Sequence, residues 1–183
     1  LLHAHAGEVD LLIDSGKKTA SSRQIVASKK AERAKGRIVL AAHMDSKYDT
    51  PGALDNAAGL ATLLETAASL SANCYDIDIL PFNGEEYYGA SGEMAYLQSL
   101  GETPISLMIN IDSPGHKGSK IAISTYNFSE SMLEQTSFLL AESQNVERGG
   151  EWFAGDHAPF LFRQIPCMAV CSSDFFDGGL AHT

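Results

Sequence analysis

The segment Arg37-Ile38-Val39-Leu40-Ala41-Ala42-His43 is a nearly continuous apolar run. Lacking polar alternation, it predicts a strand covered on both faces, as in a parallel sheet. Pro51-Gly52 then interrupts the pattern, and from Ala53 to Leu70 the residues Leu60, Leu63, Leu64, Ala67 and Ala68 recur at helical spacing. The alternation repeats. Residues 77–83 predict a second strand, followed from Gly84 by a helix through Leu100, and residues 105–112 predict a third strand ending at Pro114-Gly115. A fourth strand over 121–124 leads to a helix over 129–143, with Ser129 as its N-cap. A short helix over 156–164 and a buried strand over 165–172 complete the series. Residues 8–28, through Val9–Ile13 and Gln24–Ala27, predict a pair of edge strands, and Lys29–Lys35 a basic surface turn.

Strands alternating with helices of this length predict an α/β fold, specifically a three-layer α/β/α sandwich with a mixed, largely parallel sheet. No repeat, low-complexity tract or domain boundary interrupts it, so 1–183 reads as one domain whose first 36 residues supply edge strands and turns. Its 183 residues, 44% of them apolar, suffice for a core that buries roughly 70% of the unfolded chain's surface. Sixteen glycines and six prolines are ordinary usage and exclude a linker-dominated chain.

Charge narrows the functional classes. Twenty-three acidic against 13 basic residues give a formal charge of -10, the wrong sign for binding nucleic acid or an anionic membrane through a basic patch. No apolar run approaches the roughly 20 residues that span a bilayer. The expectation is a soluble protein, cytoplasmic or secreted; the start at Leu1 leaves the compartment open. Cys74, Cys167 and Cys171 form no CxxC, so neither a disulfide framework nor a cysteine zinc site is expected, and Cys167 and Cys171 read as small core residues.

The polar residues carry the chemistry. Ligands of open α/β sheets bind outside the carboxyl ends of the strands. There His43 and Asp45 close the first strand, Glu85 and Glu86 follow the second, and Asp112 closes the third. Asp55 opens the first long helix, and His182 follows the last strand. Taken singly, Asp55 reads equally as a charge at a helix start, Asp112 as a turn residue and Glu85-Glu86 as a first helical turn. Together at one rim they point to metal. Histidine and carboxylate donors without cysteine suit zinc or a similar borderline ion. Two ions about 3.5–4 Å apart can share a bridging carboxylate and activate water, while a carboxylate outside the ligand set takes the water's proton. The adjacent Glu85 and Glu86 can divide those duties between them.

The segments Ala42–Ser46, Pro51–Gly59, Asn83–Glu86, Asn110–Asp112, Asp156–Phe160 and His182-Thr183 resemble, in order, the motifs of the co-catalytic di-zinc aminopeptidases of peptidase family M28, which also includes the glutaminyl cyclases. The resemblance covers residues 37–183. It implies a zinc-exopeptidase-like fold and a catalytic domain lacking flanking pieces at both ends. It also implies two Zn2+ ions, with Co2+ or Mn2+ as alternatives: one on His43 and Asp112, a second on Glu86 and His182, and Asp55 bridging them. Glu85 then corresponds to the general base and Asp45 to the residue that orients His43. The Asp55-Asn56 peptide is expected to be cis. Asp156 and His157 are expected near the site, with Trp152 as a pocket wall, as candidates for substrate contact. His3, His5 and His116 read as non-functional.

The implied reaction is hydrolysis of the N-terminal peptide bond of a peptide with a free N-terminus. Glutaminyl cyclase activity is the alternative within the fold. Three features speak against it: Asn56-Ala57-Ala58-Gly59 after Asp55, no aromatic-rich insertion after Glu86, and Ala181 before His182. A non-catalytic peptidase-like module is the alternative outside enzymes. Oligomeric state has no signal in the sequence.

Overall fold

The computed structural model describes residues 12–13, 16–17, 23–72, 74–88, 90–100 and 104–175. A two-stranded ribbon pairs β1 (Leu12–Ile13) with β2 (Gly16–Lys17). The main sheet comprises β3 (Ala27–Lys29), β4 (Arg37–His43), β5 (Asp76–Phe82), β6 (Ile105–Ile111), β7 (Ile121–Tyr126), β8 (Val146–Arg148) and β9 (Cys167–Ser172), in the order β3-β5-β4-β6-β9-β7-β8. Neighbours within the block β5-β4-β6-β9 run parallel, whereas β3 and β7 pair antiparallel to it and β8 runs alongside β7. The sheet is therefore mixed and largely parallel.

Burial on both faces follows from the apolar runs. Along β4, Val39 and Ala41 enter a cluster with Tyr96, Leu97, Met108 and Phe160, while Leu40 and Ala42 enter a second cluster with Leu63, Ile79 and Ile111. The first cluster lies under α3 (Ser91–Ser99) and α5 (Ala158–Leu161), the second under α1 (Gly59–Ser69). Helices thus cover opposite faces of one sheet, giving three layers. Asp78, in the middle of a buried strand, is satisfied by Tyr96 Oη at 2.8 Å, Ser28 Oγ at 2.6 Å and Arg37 Nε at 3.3 Å. Cys167 and Cys171 are buried and all three cysteines are free thiols.

Several boundaries differ from the sequence pattern. The first long helix starts at Gly59 rather than Ala53, because Asp55 and Asn56 leave helical angles and the Asp55-Asn56 peptide is cis, turning residues 53–58 into an irregular turn. The helix expected over 84–100 is two, α2 (Glu85–Tyr88) and α3, separated around Ala90, whose φ of 70° is left-handed. The helix expected over 156–164 is the single turn α5, and β8 is an additional strand. Of the expected edge strands, β3 joins the main sheet, and within Val9–Ile13 the described residues Leu12–Ile13 belong to the separate ribbon. The helix α4 (Glu130–Ala141) is capped as expected by Ser129, whose Oγ accepts the Met132 amide at 3.4 Å. Among the described residues, no helix is long and apolar enough to cross a membrane.

Candidate active site

Parallel pairing delivers the candidate residues to one edge. His43 is level with Phe82 across β4 and β5, so Glu85 and Glu86 begin just beyond that edge. Ala41 pairs with Asn110, and two residues further along both strands lie His43 and Asp112. Here His43 Nε2 sits 3.0 Å from Asp55 Oδ1 and 3.6 Å from Asp112 Oδ1. The ligand-type atoms of His43, Asp55 and Asp112 all lie within 4.8 Å of one another, and so do those of His43, Glu85 and Glu86. His182 and the edge residues before Leu12 lie outside the described residues.

The imidazole is oriented from behind. His43 Nδ1 donates to the Asp45 carbonyl at 3.0 Å, and a carbonyl can only accept, so Nε2 is the nitrogen that faces the carboxylates. It is thus the carbonyl of Asp45 that orients the ring, while its carboxylate stands 3.8 Å from Nδ1. That carboxylate instead accepts the backbone amides of Gly84 at 3.1 Å, Glu85 at 3.3 Å and Glu86 at 3.1 Å. The reason is local: the chain leaves β5 through Gly84, whose φ of 97° needs glycine, and exposes the first amides of α2 to an acceptor. Asp45 therefore binds both His43 and the Glu85-Glu86 turn.

Asn56 performs a similar task on the other side. Its Nδ2 donates to the Ile111 carbonyl at 2.9 Å, and its Oδ1 accepts the amides of Gly59 at 2.9 Å and Ser113 at 3.0 Å. The turn carrying Asp55 is thereby fastened to the strand end carrying Asp112. Gly59 is required where α1 passes this junction, since a β-carbon there would collide with Asn56 Oδ1 and the Ile111 carbonyl oxygen. Ser113 Oγ donates to Asp112 Oδ1 at 3.0 Å. Lys47 Nζ donates to the Glu86 carbonyl at 2.9 Å and its Oε2 at 3.4 Å.

These surroundings set the proton affinities. Burial alone would lower the His43 pKa, but hydrogen bonds to Asp112 and Asp55 outweigh it and push it up to about 12. Positive charge is thus strongly favoured between the two carboxylates. Burial raises Glu85 to about 7; His43 opposes that rise, and Asp112, Glu86 and Asp45 add to it. Behind the site, Glu93 and Asp156 are both 0% exposed, and no donor reaches any of their four carboxylate oxygens. Burial raises both pKa values, Asp156 well above the usual carboxylate range, and the two neighbouring carboxyls act on each other. Burial thus favours the protonated form at this pair.

Asp156 and His157 lie near the site, as expected, each close enough to interact electrostatically with its residues, and Trp152 adjoins them. Asp156 and His157 are fully buried, which suits a supporting role. His157 stacks on Tyr126 with centroids 5.1 Å apart, meets Trp152 edge-on at 4.6 Å, and donates from Nε2 to the Trp152 carbonyl at 2.9 Å. Burial lowers its pKa, so it is neutral. Trp152 is half-buried and walls this aromatic group. Asn56, Lys47 and Glu93 carry no periodic or spacing signal as site residues. Asn56 and Lys47 are marked only by lying in or beside the motifs around His43 and Asp55, and Glu93 reads as an ordinary helix acid.

Fold and site together define an α/β sandwich with a histidine–carboxylate cluster at the carboxyl edge of its parallel strands. Residues 24–183 match peptidase family M28, and the chain belongs to that family. It is 29% identical over 155 residues to the aminopeptidase YwaD of Bacillus subtilis, a match covering 76% of this chain and 33% of that protein. The LapA aminopeptidase of Legionella pneumophila superposes with a TM-score of 0.68 at 21% identity, over 81% of this chain and 43% of LapA. Tannerella forsythia glutaminyl cyclase superposes with a TM-score of 0.71 at 18% identity, over 93% and 70%. At these structural identities the likeness is one of fold. The chain spans a third or less of the curated relatives it matches.

Proposed function

We propose that this chain is the catalytic domain of a metal-dependent aminopeptidase. The observation that carries the reading is the convergence of His43, Asp55, Asp112 and Glu86 beside Glu85 in a member of a peptidase family.

The donor set fits a borderline divalent ion. His43 Nε2 and the carboxylate oxygens of Asp55 and Asp112 lie within ligand reach of a common point, and the Asp45 carbonyl fixes the ring nitrogen that faces it. His43 and Asp112 would hold one zinc, Glu86 and His182 a second, with Asp55 shared; cobalt or manganese suits the same donors. Such ions supply Lewis acidity that polarises a carbonyl and lowers the pKa of water.

The chain's own residues do the rest. The acidic rim attracts the amine of a peptide's free N-terminus. Glu85, poised near pH 7 by burial, takes a proton from the attacking water as its oxygen bonds to the scissile carbonyl carbon. The C–N bond then breaks, and Glu85 returns that proton to the leaving nitrogen. Asp45 holds Glu85 and Glu86 in register through three backbone amides.

A panel of aminoacyl reporters with an N-acetylated control tests the reading. Free-amine substrates should be cleaved only with metal present; cleavage of the blocked substrate overturns it. The glutaminyl cyclases share the fold, and the mass of the product from a Gln-initiated peptide separates the two activities. Cyclisation loses ammonia, whereas cleavage releases an amino acid. Failure to bind any divalent ion would favour a non-catalytic module.

A further inference from the structure

A pocket of about 490 Å³ opens beside Glu85, lined also by Met94 of α3 and by Ala158, Pro159, Phe162 and Arg163 in and after α5. Its volume falls within the roughly 300–1,000 Å³ of small-molecule sites. Two features separate it from ordinary surface. Phe162 is 77% exposed and Met94 38%, so large apolar side chains stand open on its walls. Among the described residues, Arg163 is the one cation in the lining and no acid pairs with it.

The cleft therefore has polarity. Asp55, Glu86 and Asp112 gather negative charge at the ligand cluster, and Arg163 brings positive charge to the pocket that shares Glu85 with it and also holds Glu93. A short peptide is charged in the complementary sense, with its ammonium at one end and its carboxylate at the other. We propose that this pocket is the subsite for the residue on the leaving side of the scissile bond. Its apolar side chain packs on Met94 and Phe162, and, when the substrate is a dipeptide, its terminal carboxylate pairs with Arg163. Glu85, which belongs to both the ligand cluster and the pocket wall, then stands where the leaving nitrogen must receive its proton. The residue after that nitrogen spans about 3.5 Å of chain, so its side chain and carboxylate emerge directly into the pocket. An N-terminal residue would instead bring an ammonium toward Arg163, which repels it. The proposal rests on the peptidase reading and adds a substrate class to it: dipeptides ending in a bulky apolar residue.

The test compares metal-loaded wild type, Arg163→Gln and Phe162→Ala on Leu-Phe, Leu-Gly and Leu-Phe-amide. Both positions are exposed, so neither substitution threatens the fold. In wild type, kcat/KM for Leu-Phe should exceed that for Leu-Phe-amide by about tenfold, the worth of one charge-assisted contact. Arg163→Gln should collapse that ratio toward one, and Phe162→Ala should collapse the preference for Leu-Phe over Leu-Gly. Equal ratios in wild type and variants, or a change confined to selectivity for the first residue, would overturn the subsite. Calorimetric binding of Leu-Phe to Glu85→Gln, with and without Arg163→Gln, separates the two readings. Arg163-dependent binding without turnover by wild type would sustain the subsite while the peptidase reading fails. Binding indifferent to Arg163 would overturn the subsite even if peptides are hydrolysed.

Discussion

The carboxylate of Asp45 accepts the backbone amide of Glu86 at 3.1 Å, while the carbonyl of the same residue holds the His43 ring at 3.0 Å. One residue thus locks two strand ends together at the site. Asp45→Ala should free the first turn of α2, costing about 1 kcal/mol for the lost cap, and should weaken metal binding by letting Glu86 drift. Paired measurements of thermal unfolding and zinc affinity check this. Unchanged affinity would show that Glu86 needs no such anchor.

In the proposed mechanism Glu85 has a different duty from its neighbour. Glu85→Gln removes the proton acceptor but keeps the shape, so kcat should fall by on the order of 10²–10⁴ while bound metal per chain is unchanged. Parallel kinetics and elemental analysis decide the matter; a loss of metal would make Glu85 a ligand.

Asn56 joins the Asp55 turn to the end of β6 through three hydrogen bonds. Asn56→Ala strands two amides and a carbonyl in a buried setting, a cost of about 3 kcal/mol or more. Gly59→Ala drives a methyl against the same side chain and should cost about 1–3 kcal/mol. Urea unfolding of both variants measures these losses, and a neutral Gly59→Ala would mean the helix start can shift.

The stability of the metal-free protein should fall as pH rises. His43, Glu85, Glu93 and Asp156 all have folded pKa values raised above their unfolded ones. Each such group stabilises fully below its unfolded pKa and loses that contribution as pH climbs through the folded value. For Glu85 the window runs from about 4.5 to about 7, and for His43 from 6.5 to about 12. Two groups act oppositely: Asp76, whose pKa burial would raise but Lys30 and the Ala31 amide lower, only below the ordinary value of 3.8, and His157, whose pKa burial lowers, below the ordinary value of 6.5, where it offsets part of the trend. Denaturant titrations should therefore give a lower stability at pH 8.5 than at pH 5.5. Glu93→Gln, which cannot ionise, should lose less over that interval; an identical slope would mean that the raised Glu93 pKa contributes nothing to it.

Much of this site was legible along the chain because strand ends are marked twice. The apolar runs ending at His43, Phe82 and Ile111 predict buried parallel strands, and the polar residues that follow them must then share an edge. The motif resemblance added an order and a set of roles. The helix boundaries around Asp55 and Ala90 were not legible, since hydrophobic period does not register a single residue leaving helical angles. The depth at which Asp156 and His157 lie was not legible either, because neither period nor spacing reports how far a polar pair is buried.

The sequence by itself determined the layered α/β architecture, the acidic rim and the identity of the candidate ligands, because periodicity and residue chemistry are local properties. Tertiary structure alone decided that Asp45 works through three amides of another segment, that Asn56 ties two turns together, and that Glu93 meets Asp156 behind the site. Those contacts join residues 39 to 63 positions apart, and only the folded sheet determines which distant backbone donor finds which acceptor.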